Sequence, residues 1–192
     1  MHELFLEYLK QFSPKPLSKS EKALIFSSFS PLKLRKRQYF LQAGNECKQF
    51  AFIVKGAMRQ YIVNEKGVEQ VVGIGIEDWW MGDRESFVYS TPSLYHIDAW
   101  EDTEMLTITR ADSIKIKSIP AIAAMISQLD DRNNIANQKR VMSLINLTAE
   151  KRYAGFLAWY PQLVSRFPQH IIASYLGITK DTLSRVKLQR KQ

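Results

Sequence analysis

The spacing of hydrophobic positions changes period twice along this chain, and each change marks a new kind of structure. Residues 3–12 and 18–29 have helical spacing. Ser18 opens the second stretch and Glu21 follows three residues later, the pattern of a capping box. Pro14, Pro16 and Pro31 punctuate the connections. From about Arg37 to Thr109 the period becomes that of strands. Phe50–Val54, Ala57–Val63 and Glu69–Ile74 are short and rich in β-branched and aromatic residues, with Asn64-Glu65-Lys66-Gly67 as a hairpin turn between the last two. Gly44 and Gly56 fall where turns or bulges belong, and further strands are expected at Leu94–Ala99 and Met105–Thr109. Many short strands with glycine turns predict a sandwich or jelly roll.

Near Arg110 the helical period returns. Ala111-Asp112-Ser113 begins a short helix, and a long one is expected from about Pro120, a residue suited to a first turn, to Leu147. Its apolar stripe is Ile122, Met125, Ile126, Leu129, Ile135, Ala136, Met142 and Ile145, with Asp130, Asp131, Arg132, Lys139 and Arg140 outside it. Such a stripe can pack on its own sandwich or against the same helix of a second copy; the second reading is preferred, because one helix of this length leaves apolar surface uncovered. A further helix, Ala149–Tyr160, leads through Pro161 and Phe167-Pro168 into the last segment. The organisation expected is therefore α+β, with a sensor-like sandwich over 1–118, a long helix over 119–147 and a small helical domain over 148–192.

That last domain carries the most specific pattern. Ile172, Ala173, Leu176, Ile178, Leu183 and Val186 are spaced for two short helices that bury them against each other. Gly177 supplies a left-handed residue to end the first helix, and Thr179 can cap the second. The second helix bears Lys180, Asp181, Thr182, Ser184, Arg185, Lys187, Arg190 and Lys191. Helix, glycine turn and polar-basic helix make a helix-turn-helix DNA reader; a solvated helical hairpin is the plainer alternative.

Charge supports the reader. The net charge is +8, and from Arg166 onward Arg166, Lys180, Arg185, Lys187, Arg190 and Lys191 face a single acid, Asp181. This is the electrostatic footprint of a polyanion binder. Another basic run, Lys33 to Arg37, reads as a solvated strand entrance. Apolar residues make up 45% of the chain, which places it among globular proteins. No apolar run approaches the ~20 residues that span a bilayer, and the acidic N-terminus lacks the plan of a secretory signal, so a cytoplasmic home is expected. The single cysteine, Cys47, cannot form an intramolecular disulfide or supply a cysteine-ligated cluster, and reads as a packed thiol. His2, His96 and His170 fall in three different elements, so neither a metal nor a cofactor is expected. There is no nucleophile triad spacing, P-loop or Gly-x-Gly-x-x-Gly motif, and catalysis is not expected.

The order sandwich, long helix and C-terminal helix-turn-helix resembles the superfamily of the cyclic-AMP receptor protein and the fumarate–nitrate regulator (Crp/Fnr). In the sandwich the resemblance rests on Phe40-Leu41-Gln42-Ala43-Gly44, Phe50–Gly56, Gly82-Asp83 and Ala99. In the reader it rests on Ile172-Ala173, Leu176-Gly177-Ile178-Thr179 and Thr182-Leu183-Ser184-Arg185. It implies a homodimer that binds a pseudo-palindromic operator in double-stranded DNA, and contact with RNA polymerase if the outcome is activation. By that resemblance Arg185 reads guanine, Lys180 and Asp181 stand at base-contacting positions, and Thr182 and Ser184 offer hydroxyls to phosphates or base edges. Gln169 and Ser174 would anchor the first helix to phosphate, and Lys187, Arg190 and Lys191 would touch the backbone. The motif lacks room for a C-terminal wing, and Gln162 to Phe167 is too short for the β-hairpin of many members.

A second departure concerns the ligand. Cyclic-nucleotide members follow a Gly-Glu pair, about a dozen residues on, with Arg-Ser or Arg-Thr. Here the pair is Gly82-Asp83, and the arginine position holds Ser93, followed by Leu94. A buried phosphate without a paired cation is costly, so cyclic AMP is not the expected effector. Trp80, Gly82, Asp83, Arg84, Ser93, Leu94 and Tyr95 remain the candidate effector pocket. Trp79, Trp80, Phe87, Tyr89, Tyr95 and Trp100 surround it, and either fill the nucleotide's space or line a pocket for an apolar effector. The expected function is a sequence-specific transcription regulator. The alternative is a ligand-sensing sandwich that acts through a protein partner.

Overall fold

The structure, a computed structural model, describes residues 1–189. The chain separates into two compact units that do not follow its linear order. One comprises Met1–Gln60 with Ile74–Asp131, and the other Tyr61–Gly73 with the chain from Arg132 onward.

In the first unit, two helices, α1 (His2–Leu9) and α2 (Lys19–Ser28), precede the strands. The Ser18 capping box is present: the Ser18 hydroxyl accepts from the Glu21 amide, and the Glu21 carboxylate accepts from the Ser18 amide at 2.7 Å. The strands are β1 (Phe29–Leu34), β2 (Tyr39–Leu41), β3 (Gln49–Lys55), β4 (Met58–Val63), β5 (Glu69–Gly75), β6 (Trp80–Met81), β7 (His96–Ala99) and β8 (Thr103–Thr109), with a helix α3 (Arg84–Tyr89) between β6 and β7. They form two four-stranded sheets of order β1-β8-β3-β6 and β2-β7-β4-β5, the crossed order of a double-sheet jelly roll. Ala51 pairs with Thr107 and Phe52 with Leu106 in the antiparallel β3–β8 ladder.

Strands β3 and β8 are buried on both faces, which explains the unbroken apolar run Phe50–Val54 in place of an alternating one. Ala51, Ile53, Met81 and Met105 pack with Met58, Ile97 and Leu41 in one cluster. Phe52, Leu106 and Ile108 pack in another, with Phe5, Leu9, Phe29, Ile116, Ile119, Ile122 and Met125. Helix α1 is held there by aromatic contacts: the Phe5 ring lies 4.6 Å from Phe29, 5.0 Å from Phe52 and 5.9 Å from Trp80 between centroids. Helix α4 (Arg110–Ile116) begins where the Thr109 hydroxyl accepts from the Asp112 amide, and α5 runs from Pro120 to Asn146.

The second unit holds the end of β4, the turn after it and most of β5, together with the later part of α5 and helices α6 (Ala149–Trp159), α7 (Leu163–Arg166), α8 (Gln169–Tyr175) and α9 (Lys180–Gln189). Thr148 caps α6 by accepting from the Lys151 amide. Tyr153, Phe156, Leu163, Phe167, Ile171, Ile172, Ala173, Leu176, Leu183 and Val186 are buried. Ile178, expected in that core, is only half-buried, and Ile171 takes a full place in it. The stretch before the motif holds the short helix α7. Arg190, Lys191 and Gln192 lie outside the described residues.

Candidate nucleic-acid interface

The turn between α8 and α9 is built by backbone hydrogen bonds that only a left-handed residue permits. Gly177 has φ +66°. Its amide donates to the Ser174 carbonyl at 3.0 Å, and the Ile178 amide donates to the Ala173 carbonyl at 3.0 Å. These two bonds are a Schellman motif, and they satisfy carbonyls that the end of α8 would leave bare. Thr179 then caps α9, its hydroxyl accepting from the Thr182 amide at 3.1 Å. Leu183 and Val186 turn inward, each 1% exposed, so Lys180, Asp181 and Arg185 are left outward on α9. Ser184 and Lys187 are half-buried beside them.

The remaining reader residues have partners of their own. The Ser184 hydroxyl lies 3.0 Å from the Lys180 carbonyl and 3.4 Å from Gln169 Oε1, so it links α9 to the first turn of α8. Thr182 and Thr179 hydroxyls are 2.9 Å apart. Ser174 faces strand β5: its hydroxyl accepts from the Val71 amide at 2.9 Å and stands 3.5 Å from the Glu69 carbonyl. A cleft of about 700 Å³ lies here, lined by Val68–Val72, Arg140, His170, Ser174 and Lys180 among others.

Two arginines that the sequence pattern does not single out organise this unit. Arg140, from α5, donates to the Val72 carbonyl and, at 3.2 Å, to the Tyr175 carbonyl. Its guanidinium also lies 4.2 Å from the centroid of the Tyr175 ring. Burial pushes the Tyr175 phenol above its ordinary range, against the opposing charge of Arg140. Arg152, from α6, donates to carbonyls of both α5 and the α8–α9 turn. Local sequence spacing announces neither arginine, because the acceptors are backbone carbonyls: those of Arg140 lie 68 and 35 residues away, and Arg152 joins nearby Leu144 and Leu147 to Leu176, 24 residues on.

In the first unit, several of the candidate effector residues are engaged by groups of the protein itself. Asp83 is 5% exposed, and its carboxylate accepts from the Glu85 and Ser86 amides at 3.1 and 3.3 Å as the N-cap of α3. Arg84 is paired with Asp130, its Nη2 2.9 Å from Oδ2, and this hydrogen bond holds the Asp130 carboxyl below its ordinary range. Ser93 is 2% exposed, its hydroxyl accepting from the Tyr95 amide at 3.0 Å. Gly82 is required by the Phe50 ring, which would lie 2.5 Å from any Cβ placed there. Trp80 packs among Phe5, Phe29, Phe50 and Phe52, and its buried Nε1 is the one such side-chain atom without a hydrogen-bond partner among the described residues. Phe87 packs on Phe50, Trp100 lies against Lys36 and Arg59, and Tyr89 and Leu94 are exposed.

Cys47 is buried beside this segment; its sulfur lies 3.4 Å from the Asp83 amide, and burial raises its thiol above the ordinary range. His96 Nδ1 accepts from the Ala43 amide at 3.3 Å. Among the described residues no three His, Cys, Asp or Glu side chains are grouped to hold a metal ion, and no helix is long and apolar enough to cross a membrane.

Comparison with known proteins points the same way as the geometry. Residues 31–117 match the family model of the cyclic nucleotide-binding domain. The chain is 26% identical over 171 residues to the fumarate and nitrate reduction regulatory protein of Yersinia pestis, covering 80% of this chain and 65% of that protein. It thus spans about two thirds of the length of that relative. Among solved structures, FixK2 from Bradyrhizobium japonicum superimposes with a TM-score of 0.71 at 20% identity, over 84% of this chain and 83% of that one. A CooA variant from Carboxydothermus hydrogenoformans gives 0.72 at 18% identity, over 96% and 84%. At these identities the solved structures speak to fold alone.

Proposed function

We propose that this chain, a member of the Crp/Fnr superfamily of transcription regulators, binds double-stranded DNA in a sequence-specific manner as a homodimer. The observation that carries the reading is the Schellman turn at Gly177, which leaves Lys180, Asp181 and Arg185 outward on a capped helix. A helix presented in this way enters a major groove, where the Arg185 guanidinium can donate bidentately to guanine and Asp181 can accept from a cytosine amino group. Gln169, Thr182, Ser184 and Lys187 stand at its margins and serve phosphates. Ser174 would have to leave Val71 to join them.

Homodimerisation rests on α5. Ile135, Val141, Met142 and Ile145 are 52%, 56%, 57% and 73% exposed, a run of apolar side chains that the same helix of a second copy would cover. Two α9 helices would then read half-sites about 34 Å apart. By this reading residues 1–118 are the sensor, 119–147 the dimerisation helix and 148–192 the reader, in the cytoplasm, with RNA polymerase as a further partner if the outcome is activation. Cyclic AMP is not the effector: Asp83 serves as a helix cap, Ser93 is buried where the resemblance requires an arginine, and Arg84 is engaged by Asp130.

The test is selection from a randomised duplex library at physiological salt. Enrichment of an inverted repeat is expected. A folded protein that enriches no sequence, with or without cell extract to supply an effector, would overturn the reading.

A further inference from the structure

We infer that Arg152 is the positioning residue that sets the direction of the reader against α5, and through it the half-site spacing the protein accepts. This rests on the DNA-reading proposal for its functional consequence, and on the geometry of one guanidinium for its mechanism. Arg152 Nε donates to the Leu147 carbonyl at 3.0 Å and Nη2 to the Leu144 carbonyl at 2.9 Å. Its Nη1 donates to the Leu176 carbonyl at 3.2 Å and lies 3.5 Å from that of Gly177. Leu144 and Leu147 are at the end of α5, whereas Leu176 and Gly177 form the end of α8 and the turn into α9.

Both groups of carbonyls belong to helix C-termini, where the last carbonyls have no partner within the helix and the dipole end is negative. One cation therefore satisfies two helix ends at once. The planar guanidinium fixes the angle between its donors, so it fixes the ends relative to each other. A second observation places the turn against α5 independently: a Cβ on Gly177 would stand 3.0 Å from Leu144 Cδ2 and 3.6 Å from Arg152 Nη1. Since α5 would relate the two subunits, rotation of the reader about this junction changes the separation of the two α9 helices.

Arg152→Lys and Arg152→Gln in the full chain test this. Lysine keeps the charge at the helix ends but cannot bridge them with fixed geometry, whereas glutamine removes the charge as well. With a duplex library that holds the half-sites fixed and varies the spacer, the parent should prefer one spacing. Both variants should lose roughly tenfold of that preference against spacers one base pair away, about what one charge-assisted hydrogen bond contributes, and keep the same half-site sequence. Variants that fold by circular dichroism and retain the parent's spacing preference would overturn the inference. So would full rescue by lysine, which would reduce the role to charge. A measurement without DNA decides the case if the parent enriches no duplex at all, an outcome that sinks the DNA reading by itself. Spin labels on cysteines introduced at Gln138 and Gln189, both exposed, leave the buried Cys47 untouched. The distance distribution should be narrow in the parent and broad in Arg152→Gln; equal widths would refute the positioning role.

Discussion

Removing the Asp98 carboxylate should destabilise the sandwich strongly. Asp98 on β7 and Arg59 on β4 sit on adjacent strands, with Arg59 Nε 2.9 Å from Oδ1 and Nη2 2.9 Å from Oδ2. The two side chains are only 10% and 7% exposed, so neither charge is shared with bulk water. Arg59 also lies 5.3 Å from the Trp100 ring centroid, which closes one side of the pair. Asp98→Ala removes the carboxylate that accepts two of the buried guanidinium's hydrogen bonds, a change that costs about 3–5 kcal/mol. For a chain of this size each kcal/mol moves the midpoint by about 2–4 °C, so Tm should fall by roughly 6–20 °C. The double variant Arg59→Met/Asp98→Leu removes both charges and keeps apolar bulk between the strands. It should return to within about 1 kcal/mol of the parent, because a buried pair gains little over hydrophobic groups of similar volume. Urea unfolding of the parent, Arg59→Met, Asp98→Leu and their double variant closes the cycle, with Asp98→Ala measured beside it. A loss below about 1 kcal/mol for Asp98→Ala would mean that the pair behaves like one on the surface. A double variant as unstable as the sum of the singles would equally refute the account.

Arg185→Ala should relax base preference at one position of each half-site and cost about 1–3 kcal/mol, whereas Lys187→Ala should weaken all sequences alike and lower the salt slope by about one; fluorescence anisotropy across a salt series separates them. Gly56 has φ +99°, and a Cβ there would meet the Asp102 carbonyl at 2.5 Å, so Gly56→Ala should destabilise by about 1–3 kcal/mol in thermal melts. Gly155, inside α6 with nothing within 4 Å of a Cβ, should respond in the opposite sense, Gly155→Ala adding about 0.5–1 kcal/mol. The Asp130 carboxyl is held low by Arg84, so the pair's contribution is complete above the ordinary carboxylate range and lost as pH falls through the lowered value. With side chains 65% and 40% exposed it is worth about 0–1 kcal/mol, and the stability gap between parent and Asp130→Asn should close below about pH 4.

The elements that the sequence made legible are those whose signal is local. Ser18 with Glu21 and the Gly177–Thr179 turn each announce themselves within a few residues. The strands missed are those whose reason lies across the sheet. Pro31 reads as a break, yet it sits inside β1, because β1 is the edge of its sheet and an edge strand tolerates a missing donor. β6 has two residues, too few for any period, and exists only by pairing with Ala51 and Phe52. Helix α3, six residues long, is likewise below what periodicity resolves. At the candidate interface, the outward residues of α9 follow from helical spacing, but the hold of Ser174 on Val71 joins residues 103 apart in sequence. The reach of Arg152 to Leu176 is equally invisible to local pattern.

In the segment Gly82–Tyr95 a short acidic side chain decides how the loop is held. Asp is a preferred N-cap residue, because its short carboxylate reaches back to the amides two and three residues on. Asp83 does this for α3, at the Glu85 and Ser86 amides. Glutamate, one methylene longer, is not among the residues preferred at this position. The neighbouring groups are arranged in the same inward sense. The Ser86 hydroxyl accepts from the Cys47 amide at 2.8 Å and donates to the Thr91 carbonyl. Gly44 donates to the Ser93 carbonyl at 2.8 Å, and the Ser93 amide donates to Asn45 at 2.9 Å. These polar groups thus meet one another. Displacing them would leave several buried donors and acceptors unpaired, at about 1–3 kcal/mol each, with no arginine at position 93 to offset the cost. Asp83, Ser86 and Ser93 therefore tie this loop together from within.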